Sequence, residues 1–408
     1  MNPSNKSNEL TSIAFSMLLI LLVSACGGGG GSSEAPPAQV RKAGNIVPIS
    51  VYSAGNFYAL NMPFVSVKVC DPSNSNCTTI DNVLVDTGSV GLRVFASAVS
   101  TLNLTQQTVT GTQGDNPIAE CLTFTQGITW GPVKYATVQI GEKTANNIPI
   151  QVISDPGFTS IPTVCSNEGT VLNTITNLGA NGILGIGSLR QDSGWYFRCN
   201  NSGANCAYVT QPIANRIPNP VAEFESDNNG VIITLGDVPD SGTSAINGTL
   251  TFGIDTQSNN ASLHANTILI NNDPNSPTYG YFNTVVNGIN YPYSFIDSGS
   301  NGYFFNMPIT ITECFLYPGF YCPGNTMTLN ATITGHPGST APVSFNFDVG
   351  NAGVLLSNYD YFVFDNLGGT AVNNEVFDWG LPFFIGKSVY VAMEGSTTAK
   401  GTGPYVGW

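Results

Sequence analysis

The chain is expected to be an all-β protein assembled from two related halves, on three observations. Two stretches, Val83-Leu84-Val85-Asp86-Thr87-Gly88-Ser89-Val90-Gly91 and Tyr293-Ser294-Phe295-Ile296-Asp297-Ser298-Gly299-Ser300-Asn301-Gly302, share one plan. Each carries apolar residues into an Asp, a hydroxyl residue, Gly and Ser, with a further Gly two positions on, and the two Asp residues lie 211 positions apart (297 − 86). Short β-branched and aromatic runs broken by Gly, Asn and Pro fill most of the chain, and no long amphipathic helical pattern is evident. Charged residues make up 9%, against about a quarter in an ordinary soluble domain. Polarity comes instead from Asn, Ser, Thr and Gly, which suits strands joined by many turns.

Taken in order, Ile13 to Val23 is an apolar run of signal-peptide length, too short to span a membrane comfortably. It ends in Val23-Ser24-Ala25-Cys26 followed by Gly27 to Gly31, which resembles a bacterial lipobox. That resemblance implies a signal peptide over residues 1–25, lipidation at Cys26 and export, and Gly27 directly after the Cys is similar to lipoproteins sent to the outer membrane. Residues 26–45, with Pro36-Pro37, read as a tether. The folded part divides into an N-terminal lobe over 46–236 and a C-terminal lobe over 237–408, the boundary falling just after Val-Ile-Ile-Thr-Leu between Gly230 and Gly236.

In the first half, Phe57 to Val69 and Thr78 to Val85 read as a hairpin whose second strand delivers Asp86. Leu92 to Phe95 leads away from the turn. Between Cys121 and Ile140 the runs Leu122 to Phe124, Ile128 to Trp130 and Tyr135 to Ile140 alternate with glycines, as in a hairpin that could project over a site. Gly182-Ile183-Leu184-Gly185 follows, and Phe384-Ile385-Gly386 is its expected partner in the second half. There, strands are expected at Thr249 to Ile254, Thr267 to Ile270, Tyr281 to Val286, Tyr291 to Ile296, Met327 to Ile333, Val343 to Phe347, Lys387 to Met393 and Tyr405 to Trp408.

Eight cysteines remain once Cys26 is set aside, and eight allow 105 pairings. Spacings of seven or eight residues favour Cys70–Cys77, Cys199–Cys206 and Cys314–Cys322, which leaves Cys121–Cys165. Structural disulfides in an oxidising compartment are the reading, and no Cys-x-x-Cys points to zinc or redox work. The net charge of −14 rests on only 12 Lys+Arg, so no basic patch exists for nucleic acid or anionic lipid. His264 and His336 are the only histidines, neither beside a Gly-x-Ser-x-Gly elbow, and both read as loop or surface residues. Neither a Ser–His hydrolase nor a metal site is supported, and no cofactor is expected.

The repeated carboxylate has its own chemistry. Each Asp is delivered by a buried strand to a tight turn that the following Gly permits. One buried carboxylate is costly, but two facing each other share a proton, because like charges a few ångströms apart cannot both ionise cheaply. The pair is then a base and an acid at once, able to activate water while protonating a departing group. Singly, each Asp-Gly is accounted for by an ordinary Asx turn. A glycosidase would place its two acids about 5 to 9.5 Å apart, wider than a proton-sharing pair.

With Asp86-Thr87-Gly88-Ser89, Asp297-Ser298-Gly299-Ser300, Ile183-Leu184-Gly185, Phe384-Ile385-Gly386 and the flap-like Phe124 to Gly141, residues 46 to 408 resemble the pepsin-like aspartic peptidases, most similarly an uncharacterised bacterial lipoprotein family of that fold. The resemblance implies two β lobes related by a pseudo-twofold axis, with a peptide or protein substrate lying extended in the cleft between them. It makes Asp86 and Asp297 the catalytic dyad of a monomeric endopeptidase that touches the membrane through its lipid anchor alone. Thr87 and Ser298 would hydrogen-bond across the axis, Ser89 and Ser300 would bond the outer carboxylate oxygens, and each apolar-apolar-Gly would pack beneath its turn. Two residues depart from the family pattern: Phe124 stands where the flap usually has a Tyr, and Arg93 where a Trp commonly partners that Tyr. Those departures define the alternative, a catalytically weak or inactive binding or inhibitory lipoprotein.

Overall fold

The structure, a computed structural model, describes residues 44–53, 59–111, 114–307, 311–336 and 341–408. The expected signal peptide, Cys26 and nearly all of the 26–45 tether lie outside the described residues, as does Phe57. The fold is all-β, and the helices among the described residues are single turns of three or four residues, such as Thr163–Ser166, Ile175–Leu178 and Ala352–Leu355. No helix among them is long and apolar enough to cross a membrane.

Strand Pro63–Cys70 alternates as a half-covered strand should, with Val65, Val67 and Val69 buried while Ser66 and Lys68 are exposed. It pairs antiparallel with Cys77–Asp86, and the Cys70–Cys77 disulfide closes the hairpin. The last four residues of that second strand, Val83 to Asp86, are all buried, because the chain is covered there on both faces. Gly182–Ile186 runs parallel to it with Gly185 opposite Asp86, and antiparallel to Val90–Phe95, the strand that leaves the turn. Asp86 therefore sits at the end of a three-strand unit: strand in, central strand, strand out.

The same unit recurs at Asp297. Ile289–Ile296 enters, Val376–Trp379 runs parallel to it with Trp379 opposite Ile296, and Tyr303–Phe305 leaves antiparallel to that central strand. This corrects the expected partner motif. Leu381–Phe384 is a short 3-10 helix, and a Cβ at Gly386 would meet Asp237, away from the Asp297 turn. The glycine beneath that turn is Gly380, whose Cβ would lie 2.7 Å from the Ser300 carbonyl oxygen, as one at Gly185 would lie 2.7 Å from Ser89 Oγ. The physical reason is that Asp378-Trp379-Gly380 fills the place with an acid, so a search for two apolar residues before Gly passes over it.

A further sheet draws on both ends of the chain. Ile46–Tyr52 pairs with Ala245–Phe252, which pairs with Gly230–Leu235, then Ser388–Ala392, Tyr405–Gly407 and Thr267–Leu269. The strand Gly230–Leu235, after which the lobe boundary is expected, lies inside this shared sheet. Ahead of Asp297, Phe282–Val286 and Ile289–Ile296 belong to a seven-stranded sheet with Met327–Thr334 and Val343–Val349. Its core is aromatic: Phe377 stacks on Trp379 at 4.2 Å and on Phe305 at 4.8 Å, with Phe347 edge-on to both Phe377 and Trp379. The core around Asp86 is instead aliphatic, built from Val83, Val85, Leu92, Val94 and Leu184.

All four expected disulfides form. The histidine reading is corrected at one position: His264 is in a loop but buried, its ring 4.4 Å from that of Tyr390 and 5.7 Å from that of Tyr405. Packing on two buried aromatic rings takes it out of solvent, which a count of neighbouring polar residues does not reveal.

Candidate active site

The two Asp turns meet. Thr87 N–H donates to Ser298 Oγ at 3.1 Å and Ser298 N–H to Thr87 Oγ1 at 3.0 Å, a reciprocal pair. Each hydroxyl then donates across to the other entering strand, Thr87 Oγ1 to the Ile296 carbonyl at 3.1 Å and Ser298 Oγ to the Val85 carbonyl at 2.7 Å. Thr87 and Ser298 are buried, so these four bonds are shielded from competing water.

Within each turn the carboxylate is held the same way. Gly88 N–H donates to Asp86 Oδ1 and Gly299 N–H to Asp297 Oδ1, both at 2.7 Å. Ser89 Oγ donates to Asp86 Oδ2, and Ser300 Oγ donates to Asp297 Oδ2 at 2.9 Å. The glycines have a reason beyond turn geometry. A Cβ at Gly88 would lie 2.5 Å from Asp297 Cγ, and one at Gly299 would lie 3.0 Å from Asp86 Cγ, so each turn must be bare where the other's carboxyl rests. Asp86 and Asp297 are in side-chain hydrogen-bond contact. Burial, with the charge of Asp86 added to it, pushes the Asp297 carboxyl well above the ordinary carboxylate range, so a proton sits between the two.

Phe124 closes the hairpin of Gly114–Phe124 and Gly127–Ile140, whose register pairs Phe124 with Gly127. With Asp86 and Asp297 it lines two adjoining cavities. One is lined by Met62, Leu84, Leu172, Leu178 and Ile183 and is apolar. The other, about 470 Å³, is lined by Leu122, Leu189, Tyr281, Phe295 and Val376. The dyad lies where these meet, with an apolar groove to either side.

Arg93 is fully buried. Its guanidinium contacts Glu120 Oε1 at 2.6 Å and Asp192 Oδ2 at 3.2 Å, and donates to the Val90 carbonyl at 2.7 Å. Tyr196 donates to Asp192 Oδ1 and accepts from Ile217 N–H. One cation faces two acids here, and burial pushes Glu120 well above its ordinary range. The position expected for a flap-contacting Trp thus carries an ion pair to the flap strand itself, since Glu120 precedes Phe124 on the same strand. Neither Glu120 nor Asp192 belongs to a motif, and only the fold brings them to Arg93.

One further acid was not anticipated. Asp378, on the strand beside the Asp297 turn, is buried, and its Oδ1 has no hydrogen-bond partner. Burial drives this carboxyl well above the ordinary range, opposed by a hydrogen bond with Ser300 and reinforced by the charge of Asp86. A single Asp between two aromatic residues carries no sequence signal. Its membership of the site follows from strand register alone.

Among the described residues no group of three or more His, Cys, Asp or Glu is arranged to hold a metal ion. The family described as "Protein of unknown function (DUF3443)" has a model that matches residues 41–408. No curated protein matches the chain.

Proposed function

We propose that this chain, which belongs to the DUF3443 family, is an aspartic endopeptidase with two pepsin-like lobes, exported and tethered to the bacterial envelope through Cys26. The observation that carries the reading is the contact of two like-built Asp turns, each holding its carboxylate by the same backbone and hydroxyl donors, with a proton shared between them. Apolar grooves on both sides suit an extended peptide crossing the dyad.

In this mechanism water rests between the two carboxyls. Asp86 takes a proton from the water as its oxygen bonds to the peptide carbonyl carbon, and Asp297 gives its proton to the carbonyl oxygen. The resulting gem-diol collapses when a proton passes to the amide nitrogen and the C–N bond breaks. No covalent enzyme intermediate forms, and the dyad ends with its single shared proton restored. The buried donors of Thr87, Ser298, Ser89 and Ser300 hold both carboxyls in place throughout, which spares reorganisation during the step.

Phe124 supports the second reading, a cleft that binds without cutting, since it brings no hydroxyl over the dyad. Cleavage of denatured casein between pH 3 and 7 separates the two. Wild type is expected to cut, while Asp86→Asn, Asp297→Asn and wild type with a statine-type inhibitor lose activity by about 10³-fold or more. Folded but inert wild type would leave the binding reading standing.

A further inference from the structure

The two Asp turns are alike in sequence, yet the strands behind them differ at one place. Register sets Ile183 beside Leu84 on the Asp86 side, and Asp378 beside Phe295 at the equivalent step on the Asp297 side. On the strand Val376–Trp379, Phe377 and Trp379 enter the aromatic core. Side chains alternate, so Val376 and Asp378 face the other way, and Val376 lines the cavity that holds Asp86 and Asp297. Asp378 is 3% exposed, joined to the Ser300 hydroxyl, with its Oδ1 unpartnered.

The titratable groups facing Asp378 are Asp86 and Asp297, both acids. The strands on either side bring Phe295 and Phe304, which offer no charge. An ionised carboxylate in that place would have one oxygen without a donor and two acids as neighbours, so the neutral acid is the stable form. A neutral carboxyl has a hydrogen to give, and Ser300 Oγ is the group it touches. Ser300 has one hydrogen of its own, which goes to Asp297 Oδ2.

We propose that Asp378 is a positioning residue of the two-aspartate site. It donates to Ser300 Oγ and so aims the Ser300 hydrogen at Asp297 Oδ2, and its ionisation sets the alkaline limit of the site. Once Asp378 gives up its proton, Ser300 turns its hydrogen to the new carboxylate. Asp297 then loses its outer donor while a second negative charge arrives beside the dyad. On the Asp86 side Ile183 provides no such group, so the two halves of a duplicated site respond differently to pH. The part of this proposal that concerns rate rests on the peptidase reading above.

The test uses the full chain with Asp378→Asn, which keeps a donor but cannot ionise, and Asp378→Leu, which has neither. Casein cleavage is followed from pH 3 to 9. Asp378→Asn is expected to cut at pH 4 within about tenfold of wild type and to carry its alkaline limb at least about one pH unit higher. Asp378→Leu is expected to lose about tenfold or more in kcat at every pH with little change in KM. Identical alkaline limbs in wild type and Asp378→Asn overturn the proposal. Infrared difference spectra at pH 6 give a readout that needs no activity: wild type minus Asp378→Asn should show the carbonyl band of a protonated carboxyl, and Ser300→Ala should shift that band. If wild type is inert but the band is present and shifts, the peptidase reading alone fails and the Asp378–Ser300 contact stands. Absence of the band overturns the contact.

Discussion

At the scale of single residues, the site depends on atoms that are missing as much as on those present. Gly88→Ala would drive a methyl group to within 2.5 Å of Asp297 Cγ, so the turns must part or the carboxyl must swing away. The expected outcome is loss of cleavage by at least about 100-fold with the fold retained, checked by casein cleavage alongside circular dichroism; an active variant would mean that the turns do not touch in solution. Asp86 and Asp297 were legible in the sequence because each sits in a repeated motif, and repetition is what separates a shared site from an ordinary Asx turn. Arg93 was visible only as a departure from a pattern. Glu120, Asp192 and Asp378 were not visible at all, because a lone acid at a buried position acquires meaning only from what the fold lays against it. His264 erred in the same direction: a polar residue in a loop reads as exposed until two tyrosine rings are found around it.

At the scale of elements, most strands were legible from β-branched alternation and from the glycines that bound them. Lys143–Ile153 was not foreseen, since its polar start, Lys-Thr-Ala-Asn-Asn, is held in the sheet by pairing with Gly127–Ile140 and not by its own composition. The disulfides came through because three of them close hairpin-sized loops. The fourth differs in kind: Cys121–Cys165 ties the strand that ends in Phe124 to the single-turn helix Thr163–Ser166 and encloses 44 positions, against seven for Cys70–Cys77. Loop-closure entropy then predicts that Cys121→Ser with Cys165→Ser costs about 4 kcal/mol, and Cys70→Ser with Cys77→Ser about 2.5 kcal/mol. Urea unfolding of the two double variants measures the difference, and equal losses would show that the longer link constrains the unfolded chain no more than the short one.

At the scale of the whole molecule, buried acids govern how stability follows pH. Burial holds Asp297, Asp378 and Glu120 above the ordinary carboxylate range, and raises Asp365 to about 6. The folded state therefore keeps protons that the unfolded chain releases above about pH 4, so stability from these groups is complete below that pH and is lost as pH rises through their folded values. His264 acts the other way: burial lowers it to about 4, so it removes stability as pH falls from about 6.5 toward 4. Four acids outweigh one histidine, and the melting temperature is expected to fall by several degrees from pH 5 to pH 7.5, with a smaller fall in Asp378→Asn. Calorimetry across that range checks it, and a melting temperature that climbs with pH would contradict the burial of these carboxyls. The all-β class was legible from composition and rhythm. The sheet joining Ile46–Tyr52 to Ala245–Phe252, and through it to Ser388–Ala392 and Tyr405–Gly407, was not, because pairing across such distances leaves no local trace. That sheet has a consequence in time. A chain emerging residue by residue has no dyad until position 297 has been made, no strand to seat that turn until 376–379 follow, and no finished sheet until the strand at 405–407 arrives to complete what 46–52 began. Order of synthesis by itself keeps the growing polypeptide inert, and the capacity to cut appears in one step, when the far end of the chain folds back onto its beginning.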